Sequence, residues 1–458
     1  VSSEVAVIGL ARSGVAASKL LLQQGYQVYA SDAKRSPATE SAAAELTSLG
    51  CAVDVGHHDL VRIARASLVV ASPGVPPDAP PLAAAHKAGA RILSEVEIAL
   101  RAMPETPYIA VTGTKGKSTT TSLIAQLLQA VGHNAEAAGN IGTALSILAT
   151  RDKKPDWVAL EISSFQLHDT PSIAPSVGVL TNLAPDHLDR YDGDVRSYYA
   201  DKALLFQNAT DASHWVINGD SPESRALVGA RRGHVHTFST HSASAEAWYD
   251  RGAASLMLLG EELMPRGELP LDGDQNVANA LAAALAVAVA APSHRSKQAR
   301  AQMRDALSRA AALPHRFQAV GEFAGVLWVN DSKATDVLAA RVAIENMTRP
   351  TILLLGGRGK GETYESLRDA IRDHCRVVIA YGEEGDKIAT DIAGAAPIER
   401  LTGNFQTVLQ RARELAQPGD AVLLAPAVTS WDMFNDAEER GAAFAAFAKS
   451  MGSESIDR

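Results

Sequence analysis

Residues 108–121 read YIAVTGTKGKSTTT, followed by Leu123, Ile124, Leu127, Leu128 and Val131 on one helical stripe that stops at Gly132. A short apolar strand, a glycine turn and a helix in that order form the unit from which parallel α/β sheets are built. In such a turn, backbone N–H groups and the positive helix end converge on one point, which suits an anion. The loop is two residues shorter than the standard phosphate loop, because Gly113 and Gly116 bracket only Thr114 and Lys115. Lys117 adds a mobile positive charge, and the Ser118 hydroxyl suits a Mg²⁺ ion bridging phosphate oxygens. An ordinary strand-to-helix turn accounts for the same residues, so the loop by itself leaves both readings open.

The same alternation recurs on either side. Val5 to Ile8 is apolar, GLARSG opens a helical stretch carrying Leu20, Leu21 and Leu22, and a second strand from Val28 ends near Asp32. A strand, glycine turn, helix and strand with an acid about 20 residues on is the layout of a dinucleotide-type domain. Ala11 stands at the middle glycine, and a turn without ligand fits equally well. LVVASPG (68–74) and RILSEVEIAL (91–100) continue the pattern until Pro104 and Pro107 interrupt it. ALPHRF, at 312–317, marks a second break, after which VLWVNDSKAT, TILLLGG, RVVIAYG and AVLLAP read as strands of another mainly parallel sheet. Residues 213–270 show no clear pattern. Three α/β domains in tandem follow, with boundaries at 1–105, 106–312 and 313–458: a Rossmann-like first domain, a P-loop ATPase-like centre and a Rossmann-like last domain.

Composition excludes several classes. A chain of 458 residues with 46% hydrophobic and 21% charged content is globular and larger than one core. A net charge of -9 without a long Lys/Arg block argues against a nucleic-acid partner. The longest apolar run, ALAAALAVAVAA at 280–291, is too short to cross a bilayer and reads as a packed helix. VSSEVAVIGLARSG lacks the features of a secretory signal, and Cys51 and Cys375 read as buried free thiols in a reducing compartment. The expectation is a cytoplasmic monomer with small-molecule substrates and no membrane insertion.

Around the loop, WVALEIS ends a strand near Glu161, and TNLAPDHLDRY puts His187 just past another, beside Asp186 and Asp189. An imidazole and a carboxylate at two strand ends beside a phosphate loop suit a divalent metal. Capping and solvated roles suit the same acids. Lys202, in SYYADKALLF, reads as a surface lysine from its surroundings alone. A nicotinamide-dependent dehydrogenase would use GLARSG and Asp32 but leave the second loop idle; a small-molecule kinase would use the loop and leave the third domain idle.

Taken together, GTKGKSTTT, GNIG, EISSFQL, DHLDRY, NVANALAA, LPHRF, NDSKAT and TSWDMF resemble the Mur ligase superfamily, in family order and over nearly the whole chain. These are ATP-dependent amide-forming enzymes of cell-wall precursor synthesis, and their phosphate loop has this short form. SSFQL, LPHRF and NDSKATD look most like the branch adding D-glutamate to UDP-N-acetylmuramoyl-L-alanine; L-glutamate, another amino acid or folate-linked glutamate are the alternatives within the superfamily. The resemblance implies that Gly113, Thr114, Lys115, Gly116, Lys117, Ser118 and Thr119 hold the ATP phosphates, with Ser118 and Glu161 at one Mg²⁺. His187 and a carbamylated Lys202 would hold a second. It implies ATP contacts from Asn276, Asn279, Arg316, Asp331 and Lys333, and contacts to the UDP substrate from Ser13, Asp32, Lys34, Ser72, Gly74 and Asn140. Thr335, Lys360, Ser430 and His187 would receive glutamate. Among these, Lys117, Glu161, His187, Lys202 and Lys333 are the implied catalytic groups. The chain departs from the family at Ala437, where an aromatic is usual, at Arg358, which implies a more basic pocket, and at Lys34, where an arginine is known.

Overall fold

The computed structural model describes residues 4–186, 190–191, 193–359, 361–434 and 436–454. Two compact units divide at Ala310/Ala311. The first carries two sheets and the second carries one, giving a three-domain α/β architecture.

The first sheet contains β1 (Val5–Ile8), β2 (Val28–Asp32), β3 (Ala52–Val55), β4 (Leu68–Ala71) and β5 (Arg91–Ser94), all parallel, in the order β3-β2-β1-β4-β5. The order reverses between β1 and β4, so the loops after β1, β2 and β4 open onto one crevice at the carboxyl edge. The helix Arg12–Gln23 must start close to the β1 exit: a Cβ on Gly14 would lie 1.8 Å from Gly9 O. Only glycine permits that approach.

The second sheet is built from β6 (Tyr108–Thr112), β7 (Ala135–Gly139), β8 (Trp157–Glu161), β9 (Val177–Leu180), β10 (His214–Asn218), β11 (His234–Ser239), β12 (Ala247–Asp250), β13 (Ser255–Leu258) and β14 (Glu261–Pro265). Its order is β14-β13-β12-β11-β10-β9-β6-β8-β7, parallel from β7 to β12 and antiparallel at β13 and β14. The patternless stretch 213–270 is thus the outer part of this sheet. The start of β11 and the start of β14 are exposed and most of β12 is only partly buried, so no continuous apolar run marks them. The Ala-rich run lies in the helix Asp274–Ala290, buried from Ala280 to Val289 and packed on the helix Lys117–Ala130. Among the described residues no helix is long and apolar enough to cross a membrane.

The two sheets of this unit are joined by a polar seam and a shared core. Helices Arg12–Gln23 and Glu95–Ala102 pack on the short helix Leu145–Ala149. Glu97 is fully buried; its Oε2 accepts from Ser172 N (3.0 Å) and Ser172 Oγ (2.8 Å), and its Oε1 from Arg101 Nε (2.6 Å). Buried Glu95 accepts from Ser146 N, and Ser94 N donates to Asp169 O at 2.8 Å. Removing an acceptor here would leave buried donors unsatisfied, at about 1–3 kcal/mol each.

The second unit has one sheet: β15 (Gln318–Phe323), β16 (Val326–Asn330), β17 (Thr351–Gly356), β18 (Cys375–Tyr381), β19 (Ile398–Leu401) and β20 (Ala421–Leu424), in the order β15-β16-β20-β17-β18-β19. All pairs are parallel except β15 with β16. The turns after β16, β20 and β17 are therefore neighbours. Both cysteines are free; Cys51 is buried and Cys375 half-buried, and burial pushes their thiols up to about 11 and about 12. A thiol held protonated is a poor nucleophile. Iodoacetamide at pH 7.5 should therefore leave both cysteines unmodified in the native protein and label both after unfolding, as read by intact mass.

Candidate active site

The centre of the first unit is the loop Gly113–Gly116, between β6 and the helix Lys117–Ala130. Its glycines are sterically required. A Cβ on Gly113 (φ +140°) would lie 2.0 Å from Thr181 Oγ1, and one on Gly116 (φ +82°) would lie 2.3 Å from Asn279 Oδ1. The segment leaving β9 pins the loop from below. Thr114 N donates to Asn182 O (2.9 Å), Lys115 N to Asn182 Oδ1 (2.9 Å), and Asn182 Nδ2 and Thr181 Oγ1 donate to Lys115 O (2.9 and 2.6 Å). No side chain caps the helix that starts at Gly116, which leaves its positive end directed at the loop. Lys117 Nζ folds back onto Gly113 O (3.1 Å) and Thr114 O (2.8 Å), while Lys115 Nζ pairs with Asp186 at 3.4 Å. Asn279, buried at the start of its helix, accepts from Thr120 Oγ1 at 3.3 Å and donates to Asn276 Oδ1 at 3.3 Å.

Lys202 is no surface lysine. It is 1% exposed on the helix Val195–Ala203, donates to Gly113 O at 2.7 Å, and lies 4.6 Å from the Tyr198 ring centre. Burial, then the charge of Lys117, holds its amine well below the ordinary lysine range, against the opposing pull of Asp186, Asp201 and Glu161. Glu161 is 2% exposed at the end of β8; its Oε1 accepts from Asn140 Nδ2 at 3.1 Å, and its Oε2 is buried with no hydrogen-bond partner among the described residues. A cavity of about 260 Å³ is lined by Lys117, Lys202, Asn140, Tyr198, Ser163 and Gly74 among others. Because β9, β6 and β8 are adjacent, the loop, Glu161 and the 181–186 segment emerge side by side at one sheet edge.

The first sheet contributes the crevice beyond β1, β2 and β4. Asp32 accepts from Leu10 N and Lys34 N, both at 2.8 Å, so it fixes the turn as well as facing it. Ser13 lies in the first turn of the helix Arg12–Gln23, and Lys34 is exposed. Ser72 Oγ is buried, unpartnered among the described residues, and turned toward Gly9 and Gly14.

Three family models cover this chain in succession: the Mur ligase MurD-like N-terminal domain over residues 3–94, the Mur ligase middle domain over 111–287, and the Mur ligase glutamate ligase domain over 315–428. The chain belongs to the Mur ligase family. Its relatives include the UDP-N-acetylmuramoylalanine--D-glutamate ligases of Acidobacterium capsulatum, 36% identical with 96% of this chain and 95% of that protein covered, and of Latilactobacillus sakei, 38% identical with 96% of each covered. Among solved structures, the UDP-N-acetylmuramate-alanine ligase MurC of Thermotoga maritima shares the fold at TM-score 0.64 and 18% identity, over 98% of this chain and 99% of that one.

In the last domain of this Mur ligase, Asp331, Lys333 and Thr335 follow β16, Arg358 follows β17 and Ser430 follows β20. Arg316 is half-buried just before β15. Lys333 Nζ is ion-paired with Glu438. Arg358, expected to make the pocket more basic, has its guanidinium paired with Glu383 through Nε (2.8 Å) and Nη2 (2.7 Å), with both side chains about half exposed. Ala437 begins the C-terminal helix Ala437–Glu454, where its carbonyl accepts from Ser332 Oγ at 2.7 Å. Trp431, next to Ser430, is 64% exposed. His187, Asp189 and Lys360 lie outside the described residues.

Sequence reasoning missed Thr181, Asn182, Tyr198 and Arg440. Arg440 is 1% exposed and donates to Ser332 Oγ and O (both 3.0 Å), Val428 O (3.2 Å) and Thr429 O (3.3 Å), tying the turns after β16 and β20 together. Nothing in EERG distinguishes it from a solvated arginine. Asn182 had a signal: a side chain able to donate and accept at once, directly after a strand.

The steric fit of the loop gives a direct test. Gly113→Ala should remove detectable ATP binding in calorimetry while circular dichroism stays unchanged, because its methyl collides with Thr181 only within the loop.

Proposed function

We propose that this chain joins D-glutamate to UDP-N-acetylmuramoyl-L-alanine, with ATP converted to ADP and phosphate, in peptidoglycan precursor synthesis. The observation that carries the reading is the meeting of Lys117 and Lys202 in one cavity beside a short phosphate loop, with Glu161 held at its edge by the cavity residue Asn140, in a chain related over 96% of its length to D-glutamate ligases. ATP phosphorylates the alanyl carboxylate, the glutamate amine attacks the acyl phosphate, and the anionic tetrahedral intermediate expels phosphate.

Lys117 moves from Gly113 O and Thr114 O onto the transferred phosphoryl group and stabilises its charge. The amides of residues 113–119 hold the remaining phosphates, Asn276 and Asn279 receive the adenine end, Arg316 and Lys333 bind phosphates and Asp331 the ribose. Ser13, Asp32, Lys34, Ser72, Gly74 and Asn140 hold the UDP substrate, and Thr335, Lys360, Ser430 and His187 the glutamate. The buried Oε2 of Glu161, unpartnered among the described residues, and the hydroxyl of Ser118 at the helix start suit a divalent cation. Ser118 and Glu161 would hold one Mg²⁺, and His187 with carbamylated Lys202 a second, supplying positive charge to phosphate oxygens. Carbamylation needs a neutral amine, and the burial that lowers Lys202 favours that form.

Phosphate release from ATP with UDP-N-acetylmuramoyl-L-alanine and a panel of D- and L-amino acids tests the reading. D-glutamate alone should support turnover; activity with L-glutamate alone, or with none, contradicts it. Lys117→Ala should lower turnover by about 10²-fold or more, from loss of charge stabilisation. Lys202→Ala should be inactive and regain activity with short carboxylic acids; absence of rescue would count against carbamylation.

A further inference from the structure

A second cavity, of about 390 Å³, lies in the seam between the first two sheets. It is distinct from the reaction cavity but shares Pro73 and Phe165 with it, and Ser72, assigned above to the UDP substrate, stands at its edge. Arg190 reinforces that partition, with its guanidinium 4.2 Å from the Phe165 ring centre and Nη1 donating to Pro73 O at 2.9 Å. On the far side stand Val75, Pro77, Leu82 and Ile92. The volume falls in the range of small-molecule sites, which combine an apolar lining with a few polar anchors.

The polar groups facing this space are mostly engaged. His168 Nδ1 meets Asp201 Oδ1 at 2.9 Å, Tyr191 OH donates to Asp201 Oδ2 at 2.9 Å, Ser94 Oγ meets Thr170 Oγ1 at 2.7 Å, and Gln166 completes a capping box with Ser163. Asp169 differs. Its carboxylate makes no hydrogen bond or ion pair among the described residues, although His86, His168 and Asp201 lie near, and burial pushes it up to about 6. An under-solvated carboxylate beside an apolar wall gains most from a group that brings positive charge and N–H donors together. The proposed reaction makes no use of it.

We propose that this cavity binds a small organic cation, an amidinium or primary ammonium on a flat apolar body, with its head on Asp169 and its body against Val75, Leu82 and Ile92. The helix Val195–Ala203 forms part of the wall through Ser197, Ala200 and Asp201, and also carries Tyr198 and Lys202 into the reaction cavity. Occupancy therefore slows turnover from outside the ATP site. This consequence rests on the ligase reading above, whereas the binding itself does not.

Benzamidine is the probe, with benzoate and benzyl alcohol as size-matched controls, against the full chain in saturation-transfer NMR and thermal-shift measurements. Benzamidine should bind and the controls should not. Asp169→Asn should weaken binding by about tenfold or more, the loss of a charge-assisted contact, with the fold intact because this side chain makes no hydrogen bond. Val75→Trp, which fills the cavity and keeps Asp169, should abolish binding. Equal binding of benzoate and benzamidine, or unchanged affinity in Asp169→Asn, would overturn the site. In phosphate release, benzamidine should lower kcat and leave KM for ATP unchanged; a rise in KM for ATP with kcat unchanged would overturn the coupling alone.

Discussion

The contact between Lys202 Nζ and the Gly113 carbonyl, 2.7 Å long and fully buried, is the point on which the active site depends. Gly113 O also receives Lys117, so two lysine amines share one acceptor at the bend of the loop. The bend itself requires glycine, because a Cβ on Gly113 would collide with Thr181 Oγ1 beneath it. Loop, helix start and the Glu161 carboxylate thereby emerge at three adjacent strand ends. The scaffold is rigid where the chemistry needs charge placed in advance.

Burying a lysine is costly unless its charge is balanced or removed. Here the Tyr198 face and the more distant Asp186, Asp201 and Glu161 oppose burial and the repulsion from Lys117, and burial still wins. A neutral amine at this position is consistent with the proposed conversion to a carbamate, whose negative charge would sit favourably beside Lys117.

The parallel core was legible because its strands are continuous apolar runs ended by glycine or polar turns: YIAVTG, WVALEIS, VGVLTN and TILLLGG all appear where their patterns say. The edges were not. β15 and β19 are partly exposed on their sheet margins, and β11, β12 and β14 mix buried with partly buried or exposed residues, so no continuous apolar run marks them. The loop chemistry was readable locally, since glycine, lysine and serine sit within six residues, from Gly113 to Ser118. Lys202 was not, because its burial is created by a helix folding over a loop 89 residues earlier in the chain. The same applies to Arg440, whose partner Ser332 is distant in sequence, and to Arg358, whose pairing with Glu383 no local pattern displays.

The central claim is that the phosphoryl group held by this loop is passed to a carboxylate. The most direct measurement uses UDP-N-acetylmuramoyl-L-alanine labelled with oxygen-18 in the alanyl carboxylate, with ATP and D-glutamate, followed by mass analysis of the released phosphate. Transfer through an acyl phosphate predicts one labelled oxygen in each phosphate released during amide formation. Unlabelled phosphate formed together with the amide product would contradict it.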